Sequence, residues 1–212
     1  MQKSIIFLGA IFGLFTIFIS GSQAGVFNTP TLAPRVETGT IPSHALDSLF
    51  NISQNQDELS VIGSDTDRIE YTVTFESKEG ATAEELESCK VTKNPNALTI
   101  YRSSENIRTK AIVRVPRAAR LQIALDRGIL EVESLTGNVN LSLKSGVIDY
   151  TVGNTDSDKW CYKAHLGAGK LNDDYTPKSE RSGKNLDSNF CRGGESNVMD
   201  ITNDSGIIEI NK

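Results

Sequence analysis

The chain has 212 residues with 22 basic and 27 acidic side chains, a net charge of −5, and its Lys and Arg are scattered without a basic run. That balance argues against nucleic acid, whose phosphates require a basic face. It equally argues against an anionic membrane surface.

The N-terminus opens with a single charge, Lys3, followed by an apolar run from Ile5 to Ile19 and the small-residue pair Ser22 and Ala24. A run of 15 residues is short of the ~20 that span a bilayer, and Ser-x-Ala is what a signal peptidase accepts. Residues 1–24 therefore read as a signal peptide cleaved after Ala24. Losing Lys3 with it leaves 188 residues, with 21 basic against 27 acidic, a net −6. No second long apolar run follows, so no stable membrane insertion is expected after cleavage and the destination is periplasmic or secreted. Residues 25–48 hold three prolines and little periodicity, and read as an extended lead-in or linker. Residues 49–212 form one domain.

Short strands come next. Leu59–Gly63 is β-prone, and Ile69–Phe75 alternates apolar with polar, the period of a strand with one buried face. Thr82 caps the one good helical candidate, Ala83–Lys90, with Glu84 and Glu85 in the first turn. Strands follow at Leu98–Arg102, at Ala111–Val115 closed by Pro116, and at Arg120–Leu125.

The repeat is the most informative feature. Units beginning at Gly128, Gly137 and Gly146 are nine residues apart, and the same spacing separates Met199–Ile201 from Ile208–Ile210, with Gly206 between. Leu130, Val132, Val139, Leu141, Ile148, Tyr150, Ile208 and Ile210 form the expected inward set, with Glu131, Asn140 and Asp149 outside. Nine residues make a short strand plus a turn. Two such half-coils close a circuit of eighteen, and stacked circuits bury an apolar face that one unit cannot. Antiparallel hairpins in a sandwich are the competing architecture. The preserved register favours an all-β, right-handed parallel β-helix or solenoid with one short helix.

Two polar insertions interrupt the repeat, Gly153–Cys161 and Asp173–Glu195, around a further rung at Tyr162–Asn172. The chain has three cysteines, Cys89, Cys161 and Cys191, all in the exported part. An oxidising compartment pairs two of them, and sequence alone does not give the pairing. Insertions leaving from one edge of the coil would bring Cys161 to Cys191, leaving Cys89 free and buried.

In the order of these elements the chain resembles a bacterial putative-adhesin family, a domain of unknown function in β-helix-like envelope proteins. The resemblance rests on Leu59–Gly63 with Ile69–Phe75, the helical segment, Val115-Pro116 and the units at Gly128, Gly137, Gly146 and Gly206, and covers about residues 49–212. The cysteine-bearing insertions around Gly167–Gly169 depart from it. It implies export and a right-handed coil, and it carries over no catalytic residue.

Candidate chemistry is sparse, and no catalytic, cofactor-binding or metal site is assigned. The only histidines are His44 and His165. Cys161, His165 and Cys191 offer three zinc ligands where structural sites take four, and a disulfide accounts for both thiols better. No Gly-x-Ser-x-Gly elbow occurs. Asp65/Asp67, Asp156/Asp158, Asp173/Asp174 and Asn203/Asp204 sit at expected corners, but the repeat lacks the Gly-Gly-x-Gly-x-Asp pattern of calcium solenoids. Glu131 and Asp149 stack on one face while Asn140 faces the other way. They form the one carboxylate pair that a carbohydrate-active enzyme on a β-helix frame would use. The favoured function is a non-enzymatic envelope or secreted protein with a binding, adhesin-like or scaffolding role and no cofactor. Its partner would be an envelope protein or glycan.

Overall fold

A computed structural model describes residues 32–42, 48–152, 160–176, 180–192 and 198–211. The leader and its cleavage site, His44 and the Asp156/Asp158 pair lie outside the described residues. Strands run at Arg35–Pro42 (β1), Phe50–Ser64 (β2) and Arg68–Ser77 (β3), then helix Ala83–Ser88 (α1), Lys90–Asn94 (β4), Ala97–Tyr101 (β5) and Ile107–Pro116 (β6). Leu121–Glu133 (β7), Val139–Thr151 (β8), Trp160–Asp173 (β9), Glu180–Arg192 (β10) and Val198–Asn211 (β11) complete the chain. No helix among the described residues is long and apolar enough to cross a membrane.

All eleven strands among the described residues belong to one sheet ordered β1-β3-β6-β2-β7-β8-β11-β9-β10, with β5 joining β2 and β4 joining β5. Five adjacent members, β2, β7, β8, β11 and β9, run parallel. Leu121 faces Val139 and Glu133 faces Thr151, the offset of eighteen that two nine-residue units make. The sheet as a whole is mixed, which corrects the expectation of parallel coils throughout: β1–β3, β3–β6, β4–β5 and β9–β10 are antiparallel. Connections as short as Pro95-Asn96 between β4 and β5 permit only antiparallel pairing. The C-terminal strand also breaks chain order by inserting between β8 and β9.

Each parallel strand is two limbs joined at a corner. In β7, Leu121, Ile123 and Leu125 are buried, but after the corner Leu130 and Val132 are. In a straight strand such a change of parity would send side chains to the opposite face; here the chain bends at Asp126-Arg127-Gly128, so both limbs point into one interior. β2, β8, β9 and β11 repeat the shift, and all eight of the expected inward residues are buried. The limbs part at β2, whose first limb pairs with β5 while its second pairs with β6.

The corner is a column of glycines. Gly128, Gly146, Gly206 and Gly169 have φ between +133° and +139° and are opposed in the sheet. A Cβ on Gly146 would lie 1.9 Å from the carbonyl oxygen of Gly128, and one on Gly206 would lie 1.9 Å from that of Gly146. Asp57 opens the column at φ 78°, opposite Gly128. Its carboxylate takes Arg102 Nη1 at 2.9 Å and the Thr109 N–H at 2.8 Å. Gly137 is not a corner of this kind: it lies in the return turn between β7 and β8, against the Ala119 carbonyl. The nine-residue repeat thus alternates two unlike corners.

Two segments differ from their sequence reading. Arg35–Pro42, within the expected lead-in, is extended and pairs along its whole length with β3. Arg35 donates to the Leu86 and Cys89 carbonyls at 2.8 and 2.6 Å, closing the C-terminal end of α1, whose first turn carries the Thr82–Glu85 capping box. Glu180–Arg192, read as insertion, is a strand. Cys161 and Cys191 are therefore cross-strand neighbours on β9 and β10, joined by a disulfide, rather than staples between two loops. Cys89 is free and buried.

Gly146→Ala is expected to cost about 3 kcal/mol, combining a forbidden φ with a backbone collision. Gly80→Ala, at φ +84° with nothing within 4 Å of its Cβ, should cost only about 1 kcal/mol. Urea midpoints compare them, and equal losses would show that the column is not close-packed.

Candidate functional site

The outer face of the first limbs is a continuous polar surface. Alternation places Asn51, Gln122, Asn140, Asp200, Lys163 and Asn189 in one row across β2, β7, β8, β11, β9 and β10. Ser53, Ala124, Ser142, Thr202, His165 and Asp187 form the next. At β2 the second row continues to β5, where Ser53 Oγ donates to Thr99 Oγ1 at 3.2 Å. Through the middle of the face the side chains are neutral amides and hydroxyls. In these two rows charge is confined to the β11-β9-β10 end; next to the corner Asp126 and Lys144 neutralise each other in an ion pair at 2.6 Å.

That end holds an open cleft of about 410 Å³ lined by Lys163, His165, Asp187, Asn189, Asp200 and Thr202. His165 Nδ1 and Asp187 Oδ1 are 2.7 Å apart in a solvent-exposed cross-strand pair, which contributes at most about 1 kcal/mol. The Cys161–Cys191 disulfide sits beside it, two residues along from the Lys163–Asn189 pair. It ties the edge strand β10 to β9 and so fixes two of the three strands that form the cleft.

Beneath the cleft the interior turns polar. Tyr162 donates to Asp173 Oδ2 at 2.6 Å, Ser188 Oγ bonds the same oxygen, and the Tyr175 N–H reaches Oδ1 at 2.9 Å. Tyr162 and Asp173 occupy positions that are Leu121 and Val132 in β7, so the last parallel coil replaces two apolar core residues by a hydrogen-bonded pair. Burial pushes the Asp173 carboxyl up, but the hydrogen bonds from Ser188, Tyr162, the Tyr175 N–H and Thr176 outweigh it, and the pKa lies below the usual carboxylate value. Burial and then the bond to Asp173 push the Tyr162 phenol well up. Trp160, Tyr175 and Phe190 close this end of the core, their ring centroids 5.0 to 5.4 Å apart.

The residues weighed from sequence fall as follows. The thiols of Cys161 and Cys191 are consumed by their disulfide, which removes the zinc triad with His165. Asp65 pairs with Arg117. Asp173 points inward, and Asn203 spends its amide on the Gly146 and Ile207 carbonyls at 3.2 and 3.0 Å. Neither of the last two faces a solvent cation. Glu131 does face Asp149, with Asn140 on the other limb, and Glu209 extends the row beyond Asp149. The sequence signal for Glu209 was its place in Gly206-Ile-Ile-Glu, which matches Gly146-Val-Ile-Asp. The pairing of His165 with Asp187 carried no sequence signal, because β10 has no apolar alternation to betray its register.

No family model matches the chain, and no curated protein matches it in sequence. Among solved structures it is similar to a "putative cell adhesion protein" from Clostridium sporogenes, with 13% identity and a TM-score of 0.50 over 84% of this chain and 99% of that one. A "putative adhesin" from Bacteroides fragilis gives 10% identity and a TM-score of 0.32 over 83% and 97%. At such identities the first likeness is one of fold, and the second carries no argument.

Asp173 sets a pH test. A carboxyl with a depressed folded pKa contributes stability above its unfolded value of about 3.9 and loses it as pH falls toward the folded value. Asp173→Asn should be less stable at pH 7 yet lose less on acidification from about pH 5 to pH 2. Urea midpoints across that range read the difference, and parallel curves would contradict the assignment.

Proposed function

We propose that the chain is an exported, non-enzymatic envelope or secreted protein that binds an envelope protein or glycan through the polar face of its first limbs. The observation that carries this reading is the cleft, where Lys163, Asp200, His165 and Asp187 interrupt two rows of otherwise neutral side chains. A rigid sheet with a few charged groups grouped at one end supplies pre-ordered hydrogen bonds with little side-chain ordering left to do on binding. The fold shared with the clostridial "putative cell adhesion protein" is consistent with it. The disulfide and the apolar leader support export. The eighteen-residue offset and the parity shift support reading β2, β7, β8, β11 and β9 as a short β-helical stack, finished by antiparallel β10 at one end and continued at the other by parallel β5 and β6.

A carbohydrate-active enzyme ranks second, favoured by Glu131 standing opposite Asp149. Glycosidic cleavage needs two carboxyls set apart by their environments. Glu131, Asp149 and Glu209 instead share one outer face.

A photo-crosslinking residue at Asn189 in living cells should capture a partner that one at Glu84 on α1 does not. Lys163→Ala with Asp200→Ala should lower that capture, and binding of the purified partner, by about tenfold. Equal capture from both positions would reject the cleft. Turnover of a polysaccharide panel, abolished by Glu131→Gln or Asp149→Asn, would promote the enzyme.

A further inference from the structure

Three of the glycine corners are followed by two aliphatic residues: Ile129-Leu130, Val147-Ile148 and Ile207-Ile208. Only the second of each pair enters the interior. Leu130, Ile148 and Ile208 are fully buried, whereas Ile129 is 40% exposed and Val147 and Ile207 are half-buried on the outside. The core does not require the first residue to be apolar, since β2 has Glu58 there and β9 has Lys170. The register sets Ile129, Val147 and Ile207 directly opposite one another on β7, β8 and β11. Two residues further along the same face, Glu131, Asp149 and Glu209 form a parallel row.

That acidic row opposes folding, because like charges directly across a sheet destabilise it. Flanking charges are compensated: Glu58 by Arg108 and Lys110, and Lys170 by Glu180. Among the described residues Glu131, Asp149 and Glu209 have no ion pair. Asp149 and Glu209 receive only the neutral amides of Asn211 and Asn172, at 2.8 and 3.3 Å. A partly exposed aliphatic row beside an uncompensated acidic one therefore lies across three strands, and the interior explains neither.

We propose that the outer face of the second limbs docks a cationic amphipathic helix of another polypeptide, lying across the strands. Its apolar stripe would rest on Ile129, Val147 and Ile207 and its Lys or Arg side chains on the acidic row. A helix advances ~5.4 Å per turn and strands stand ~4.8 Å apart, so successive turns meet successive strands. Charge complementarity selects this occupant. An anionic bilayer is repelled by the acidic row, and a second copy docking this face on itself would set the row against its own equivalent or bury it unpaired against the aliphatic row. The proposal is independent of what the cleft on the first limbs binds.

Fluorescence anisotropy with a labelled helical peptide of about 18 residues, bearing a leucine stripe flanked by lysines, tests it. The intact protein should bind that peptide, and a glutamate-for-lysine peptide or a serine-for-leucine peptide should bind at least about tenfold more weakly. The same loss is expected in Glu131→Gln/Asp149→Asn/Glu209→Gln and in Ile129→Thr/Val147→Thr/Ile207→Thr, but not in Asp65→Asn/Glu84→Gln/Glu87→Gln, which removes as much charge elsewhere. Glu131→Lys alone reverses the row in case a triple variant melts early. Equal loss in the Asp65/Glu84/Glu87 variant, equal binding of the serine peptide, or no binding to the intact protein would overturn the proposal.

Discussion

The arrangement of the parallel strands depends on one contact: the carbonyl oxygen of each corner residue occupies the place where a Cβ of the next strand's corner would be. The contact repeats through the stack, from Asp57 to Gly128, Gly146, Gly206 and Gly169, with approaches of 1.8 to 1.9 Å to the ideal Cβ position. It admits only glycine above the first member. Asp57 begins the column, and its side chain turns to Arg102 and the Thr109 N–H. A slip of one residue would place a side chain on a carbonyl, so the corner holds the register as firmly as the core does.

From that register the division of labour among side chains follows. In β7 the parity shift sends five residues inward, three before the corner and two after it: Leu121, Ile123, Leu125, Leu130 and Val132. The remainder form rows on two outer faces. Stacks of this kind need ends that do not recruit further strands. At one end the interior becomes the Tyr162–Asp173–Ser188 network, and the edge strand beyond it bends at Gly183 and Asn185, both at positive φ, and bears Lys184 and Asp187. At the other end the limbs part around β2: the first pairs with parallel β5 and the second with parallel β6, and antiparallel β4 and β3 lie beyond them.

Much of this was legible in the sequence, and the illegible parts have physical reasons. The nine-residue spacing and the inward set followed from glycine and aliphatic positions, because burial and close approach leave a compositional trace. Gly137 looked like Gly128 because both precede an alternating segment, although one lies in a return turn and the other at a corner. The strands β1 and β10 were missed because edge strands bury little: only Ile41 in one and Ser188 in the other are buried. The insertion of β11 between β8 and β9 leaves no trace, since Met199–Ile210 would suit any neighbour with the same parity. The cleft was invisible for the same reason, as it exists only because β11, β9 and β10 are adjacent.

The two outer faces show why a fold of this regularity keeps its function off the core. Every inward position is constrained by packing and every corner by the carbonyl contact, so neither can vary to suit a ligand. Outward positions are free, and whatever occupies them recurs at strand spacing of ~4.8 Å. Amides and hydroxyls then become a ladder on the first limbs, and carboxylates become one on the second. Single exposed contacts of these kinds contribute little. A row of them adds up only against a partner that presents matching groups at the same interval, which makes periodicity itself the selective element. A helix or a linear polymer meets that condition, and a small molecule does so only where the row is broken, as it is at Lys163, His165 and Asp187.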